Sequence, residues 1–306
     1  MTTSLRLPLK GPSGEPVDLA RCLNSHGFAE LAPAALDEAE RTLSLTVRVP
    51  GGRPRRIRIG PGRGTSARVE VLGPRAGART QGAALAGAAH VLRLDQDLSA
   101  FYALVADDPD LAWAAAGAGR MLRSPTVFED VVKTICTTNC AWGATVRMVN
   151  AIVSALGEPA AGGNGPLTNA FPTPAAMASM PETFYREVVR AGYRGAYLLE
   201  LARRVTAGEV DLEGLAVADP GEVTDDDVER ALLELPGIGP YAAAHVMMTL
   251  GRNSRLILDS WTRPKYARLV GRTRPVADAA IVRRFRRYGP DAGLAFWLFL
   301  TRDWID

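Results

Sequence analysis

A single carboxylate, Asp259, interrupts the stretch Leu256-Ile-Leu-Asp-Ser-Trp-Thr-Arg263, twenty residues beyond Gly239 of Leu235-Pro-Gly-Ile-Gly-Pro-Tyr241. Held beside a sugar, such a carboxylate stabilises positive charge developing there, and it orients or deprotonates an attacking water. The Pro-Gly-Ile-Gly run suits a tight turn, with Gly239 expected where a side chain would obstruct it. Pro240 fits the first turn of a following helix, because its missing N–H would be unpaired there anyway. A helix beginning at this point aims backbone N–H groups outward, which suits a phosphate oxygen. Such a contact positions a nucleic acid without reading its bases. The same residues also suit a plain αα-turn and, for Asp259, the N-cap of a helix from Trp261 to Val270; capping and chemistry are compatible.

The elements that must position these residues are mostly helices. Thr224 reads as the N-cap of an acidic helix with Asp225 to Asp227 in its first turn and Val228, Leu232 and Leu235 on its apolar face. From His90 onward the pattern is helical, with helices expected over 98–106, 109–118, 125–140, 144–156, 174–180, 181–191, 194–207, 261–270, 278–287 and 292–303. A Gly/Asn/Pro-rich loop covers 160–174. Before this, Leu43, Leu45, Val47 and Val49 alternate with polar residues, residues 56–59 do likewise around Ile57, and Pro50 to Pro54 supplies the loop of a hairpin. Residues 68–72 form another short strand, and Val17 to Gly27 a helix. The expected architecture is mainly α: a small α/β domain with an antiparallel sheet over 1–88, then a helical domain over 89–306 whose helix-hairpin-helix spans about 224–250.

Leu-Pro-Gly-Ile-Gly, a helix, then Asp resembles the helix-hairpin-helix (HhH-GPD) DNA glycosylase superfamily, which includes 8-oxoguanine DNA glycosylase, 3-methyladenine DNA glycosylase II, adenine glycosylase and endonuclease III. Phe128 to Cys140 is similar to the family helix that approaches the damaged base. Ala191-Gly-Tyr-Arg-Gly-Ala-Tyr197 is similar to a Gly-Tyr-Arg-x-x-Tyr segment of the 8-oxoguanine branch. The likeness runs from about residue 90 to the end. It implies that Asp259 is the catalytic aspartate and that Pro236, Gly237, Ile238, Gly239 and Tyr241 form the hairpin on the DNA backbone. Asn139 falls where the 8-oxoguanine branch keeps a gap-filling asparagine; here Cys140 and Ala141 replace the asparagines that follow in that branch. Trp142 is a candidate apolar plug or core residue. Tyr241 and Trp261 are candidates for the pocket of an extruded base, which aromatic rings stack well. His245 and Arg263 carry weaker expectations, as a packed helix residue and a phosphate contact.

Bifunctional members of that superfamily place a lysine two residues after the second hairpin glycine, where its amine forms a Schiff base with the sugar. Tyr241 holds that position, and the chain's lysines are Lys10, Lys133 and Lys265. The resemblance therefore implies a monofunctional glycosylase that uses water on double-stranded DNA in base excision repair, with an alkylated purine as the best substrate. The alternatives are an oxidised or mismatched base, or a non-catalytic hairpin protein that only binds DNA. In this family, hairpin carbonyls also hold a monovalent cation. No cysteine follows Cys140, so a four-cysteine iron–sulfur cluster is not expected, and no cofactor is.

Net charge is +3 but segregated: residues 41–79 hold ten arginines against Glu70, residues 251–306 twelve basic against five acidic, and residues 207–235 ten acidic against Arg230. Segregation of this kind can give one basic face suited to DNA. Cys22, Cys136 and Cys140 make no zinc set. Few cysteines, no signal-like start and no membrane-length apolar run suggest a cytoplasmic protein, nucleoid-associated if bacterial.

Overall fold

The computed structural model describes residues 2–161 and 163–305. Five strands, β1 (Thr3–Pro8), β2 (Ala35–Asp37), β3 (Thr42–Val47), β4 (Arg55–Pro61) and β5 (Ser66–Val71), form one antiparallel sheet in the order β1-β5-β4-β3-β2. The β3–β4 hairpin registers Leu43 against Ile59 and Leu45 against Ile57, and Ile57 and Ile59 in turn face Val71 and Val69. One apolar row thus crosses three strands, as alternation demands. The first helix, α1 (Leu19–Leu23), is shorter than the expected 17–27 and is followed by a 3₁₀ turn at Gly27–Glu30.

A second helix, α2 (Ala78–Val91), begins well before His90, where helical patterning was expected to start. It packs on the sheet, and its small residues explain why amphipathic patterning missed it. A Cβ on Gly87 would lie 2.7 Å from Cγ1 of Val47, so the helix sits too close to β3 for side chains. Its Ala84, Ala88 and Val91 join the sheet core, together with Leu122 from beyond residue 89.

The remaining helices are α3 (Ser99–Val105), α4 (Val127–Thr137), α5 (Trp142–Leu156), α6 (Pro174–Ala178), α7 (Glu182–Glu187), α8 (Arg194–Thr206), α9 (Leu212–Val217), α10 (Asp225–Leu233), α11 (Pro240–Leu250), α12 (Thr262–Leu269), α13 (Asp278–Phe285) and α14 (Ala292–Thr301). The helix expected over 109–118 is only a 3₁₀ turn at Ala112–Ala116. It ends at Gly117, which has φ +121° and lies so close to the N-terminal segment that a Cβ would meet the amide nitrogen of Asp18 at 2.6 Å. Helix α4 stops at Thr137, three residues before Cys140.

Two apolar cores fill the helical part. One joins α4, α5, α8 and α10; the other joins α3, α13 and α14. Helix α11 serves both: Ala243, Val246 and Met247 face the first core, Ala244 and Met248 the second. A helix apolar on all sides must be enclosed, and α11 is the spine between the two layers. The segment around Phe28 and Leu31 leaves the sheet domain and enters the first core.

Candidate functional site

The approach to α11 is built by two caps and a glycine turn. Thr224 and Asp227 form a reciprocal capping box at the start of α10. After α10, Ile238 N–H donates to the Leu235 carbonyl at 3.2 Å and closes the hairpin. Gly237 has φ +78°, and a Cβ there would meet the Tyr197 ring at 2.7 Å. The obstructed glycine is therefore Gly237, not Gly239 as the sequence suggested. Gly239 is extended (φ −104°, ψ −177°), and a Cβ on it would meet nothing within 4 Å. Its open side faces solvent beside the start of α11, whose first turn no side chain caps. Ile238 is buried and anchors the hairpin in the first core; Pro236 is half-buried and Gly239 and Pro240 are exposed.

Asp259 precedes α12 and caps it. Its Oδ1 accepts N–H bonds from Trp261 at 2.8 Å and Thr262 at 2.6 Å, while its own N–H donates to the Thr262 hydroxyl at 2.8 Å. Both loads fall on one oxygen; among the described residues nothing bonds to Oδ2. The carboxylate is half-buried, so it is rigidly oriented with one oxygen available.

Tyr241 is near enough to feel its charge. Burial pushes the Tyr241 phenol above its ordinary pKa; the Thr137 side chain beside it opposes that rise and the Asp259 charge adds to it. One turn on, the His245 ring stacks at 6.1 Å from Tyr241, 4.9 Å from Phe28 and 5.5 Å from His26. His245 Nε2 is buried and has no hydrogen-bond partner. Burial, with His26 alongside, holds the His245 imidazole down at about 3. His26 is lowered to about 4 by burial, against the 2.6 Å bond from its Nε2 to the Leu122 carbonyl. Tyr241, His245 and Phe28 thus make an aromatic wall of neutral rings. Phe28 and His26 come from the sheet domain, and no periodicity or motif marked them in the sequence.

Asn139 follows α4 in the left-handed region at φ +46°, exposed, with Nδ2 donating to the Tyr193 hydroxyl at 3.4 Å. Arg194 Nε donates to the Thr138 carbonyl at 3.0 Å, which ties α8 to the end of α4. The Tyr193 and Tyr197 rings meet edge to face at 5.9 Å. A continuous line of contact therefore runs from Gly237 through Tyr197 and Tyr193 to Asn139, and the i, i+4 spacing of Tyr193, the N-cap of α8, and Tyr197 in its first turn builds it.

Two aromatic candidates lie apart from this wall. Trp142 is neither core nor packed on Tyr241: it is 40% exposed, lies over Gly27 and donates from Nε1 to Glu30 at 3.2 Å. Trp261 stacks with Trp297 at 5.7 Å and Trp304 at 5.6 Å; its contribution at Asp259 is its backbone N–H. Arg263 is engaged bidentately by Asp278. Lys133 is buried in an ion pair with Glu129 at 2.6 Å and is enclosed by Ser124, Phe28 and Phe171. A broad cleft between β3, α2 and the start of α4 contains none of Asp259, Tyr241 or Asn139. No group of metal-ligating side chains occurs among the described residues.

These features define a mainly helical fold with a helix-hairpin-helix, preceded by a small antiparallel sheet. No family model matches the chain. It is 25% identical over 195 residues to a "Probable N-glycosylase/DNA lyase" of Methanothermobacter thermautotrophicus, covering 57% of this chain and 60% of that protein. It is 26% identical over 166 residues to the "DNA-3-methyladenine glycosylase" of Bacillus subtilis, covering 51% and 50%. The chain thus matches only half to three-fifths of these relatives' length. The structure superposes on the apo 8-oxoguanine glycosylase/lyase of Clostridium acetobutylicum with a TM-score of 0.71, covering 97% of this chain and 95% of that one at 19% identity, a likeness of fold. The homologues and structural neighbours of the chain are helix-hairpin-helix glycosylases of the 8-oxoguanine and 3-methyladenine kinds.

Proposed function

We propose that the chain is a DNA glycosylase of base excision repair that acts on duplex DNA and cleaves the N-glycosidic bond of an extruded damaged base with water. The observation that carries this reading is Asp259: one oxygen is fixed by two backbone amides, the other has no partner among the described residues, and its charge acts on Tyr241 at the start of α11. Its relatives support the class, one named an N-glycosylase/DNA lyase and the other a DNA-3-methyladenine glycosylase.

In this reading the uncapped first turn of α11 and the open side of Gly239 receive a backbone phosphate. The carbonyls of Pro236, Gly237 and Ile238 accept no backbone bond among the described residues, so the hairpin fits the monovalent cation expected of the family, which would add charge against the phosphate. Asn139, with Tyr193 beside it, enters the gap left by the nucleotide. As the bond to the base stretches, positive charge grows on the deoxyribose and the Asp259 carboxylate stabilises it. The free Oδ2 then accepts a proton from water as water attacks the sugar carbon.

Tyr241 carries no amine, and Lys133 is sequestered with Glu129; both support hydrolysis without a Schiff base. The neutral aromatic wall supports an alkylated purine, whose positive charge faces rings and an unprotonated imidazole. Duplexes carrying alkylated, oxidised or mismatched bases test the proposal. Strand breaks from an alkylated-purine duplex should appear only after hot alkali, and borohydride should trap no covalent adduct. Breaks without alkali would replace the monofunctional reading with a lyase; no release from any lesion would remove the enzyme reading.

A further inference from the structure

Around the hairpin itself the cations are already neutralised. Arg252 pairs with Asp225, Arg255 with Asp226 and Glu229, and Arg230 with Asp227. The hairpin therefore offers amides but little free charge. The helices beyond Asp259 are different. Residues 264–290 contain eight basic residues and only one acid, Asp278, which is held by Arg263. Helix α13 sorts its arginines by face. Arg284 reaches inward to Asp110 and Arg287, just past the helix, to Asp108. Arg283 and Arg286, offset by one position on the same three-residue spacing, are exposed with no acidic partner among the described residues. Arg268, in the last turn of α12, and Arg272 and Arg274 in the loop after it, are likewise exposed and unpaired.

Five guanidiniums without an acidic partner among the described residues, within a nineteen-residue span (268–286), concentrate positive charge that a polyanion would neutralise. Their place is fixed relative to the carboxylate. Arg263 is one helical turn from Asp259 and clamps Asp278 at 2.8 and 2.9 Å. Arg274 is four residues from Asp278, so its backbone is within roughly 30 Å of Asp259, given about 6 Å for the turn, about 10 Å between backbones across the Arg263–Asp278 pair and at most about 3.5 Å per extended residue. That is less than the rise of one DNA turn, about 34 Å.

We propose that Arg268, Arg272, Arg274, Arg283 and Arg286 form a second duplex-binding surface, which holds the DNA backbone beyond the lesion and supplies the electrostatic part of binding that the hairpin lacks. This rests on the glycosylase reading. Its ligand is undamaged duplex, so it serves encounter and scanning rather than the choice of base.

The test is the salt dependence of binding to an undamaged duplex by the full chain. Removing one arginine that neutralises a phosphate should lower the slope of log K against log salt by about 0.9. The triple variant Arg272→Gln, Arg274→Gln, Arg283→Gln should lower it by about 2.7, so that between about 50 and about 200 mM salt its affinity falls about 40-fold less than that of the unaltered protein. Arg274→Gln alone should lower it by about 0.9 and provides the measurement if the triple variant folds poorly. Arg6 on β1, exposed and with no acidic partner among the described residues, is the control, and Arg6→Gln should leave the slope unchanged. If the unaltered chain binds duplex but the variants keep its slope, this surface is refuted and the glycosylase reading stands. If the unaltered chain binds no duplex at any salt, both fall.

Discussion

Replacing Asp259 by asparagine separates its two roles, because they use different oxygens. The asparagine amide would keep a carbonyl oxygen where Oδ1 accepts the Trp261 and Thr262 N–H groups, so the start of α12 should survive. What disappears is the charge. A unit charge about 4 Å from a developing cation, at an effective dielectric near 20, is worth about 4 kcal/mol, or about a thousandfold in rate. Asp259→Asn should therefore lower the single-turnover rate of base release by about 10³, with duplex affinity within a few-fold of wild type and the melting temperature nearly unchanged. Asp259→Ala removes the cap as well, which costs about 1 kcal/mol and should lower the melting point by about 2–4 °C, with no greater loss of rate. Single-turnover kinetics on a lesion duplex, with melting curves of both variants, provides the comparison. An Asp259→Asn protein that retains a tenth of the wild-type rate would refute the argument that this charge stabilises the sugar cation.

Tyr241→Lys would place an amine beside Asp259, and should convert part of the product to strand breaks without alkali, with a borohydride-trapped adduct on gels. Gly237→Ala should destabilise the fold by at least about 1–2 kcal/mol, since positive φ and the Tyr197 ring both oppose a Cβ, whereas Gly239→Ala should melt normally and weaken duplex binding; chemical denaturation and binding curves distinguish the two. His245 and His26 have folded pKa values near 3 and 4, below the unfolded value near 6.5. The unfolded chain then binds more protons, so their contribution to stability is complete above about pH 6.5 and declines as pH falls toward 3–4. The buried Asp130 carboxyl, raised to about 7, acts with the opposite sign, so the His245→Phe difference, measured by denaturant titration from pH 7 to 4, isolates the histidine and should show a shallower acid loss than wild type.

Much of this was readable along the chain. The N-cap at Thr224, the β3–β4 hairpin and the course of α8, α10, α11 and α14 follow from local pattern, because each element's own periodicity agrees with its burial. Asp259 was readable as both cap and candidate because spacing from the hairpin and cap chemistry are local. What sequence could not show was set by close approach and by chain paths between domains. Helix α2 lacks an apolar stripe because Gly87 and its alanines let it lie against β3. Phe28 and His26 reach His245 only because the loop after α1 enters the helical part. Trp142 was read as core or plug; Gly27 gives it a surface seat, which excludes the core alone. The obstructed glycine was misplaced by two residues because the obstacle, Tyr197, arrives from another helix.

The double duty of α11 makes it a rigid lever whose two ends do different jobs. Under the proposed function its first turn would meet the strand and present Tyr241, and one turn further it would present His245, to a base that has left the stack. Both cores lock the remaining alanines, valines and methionines and also pack against Tyr241, while the His245 ring packs on Tyr241, Phe28 and His26. Under the proposed function, a change of substrate preference at residue 241 or 245 would be made on a helix that both cores hold in place.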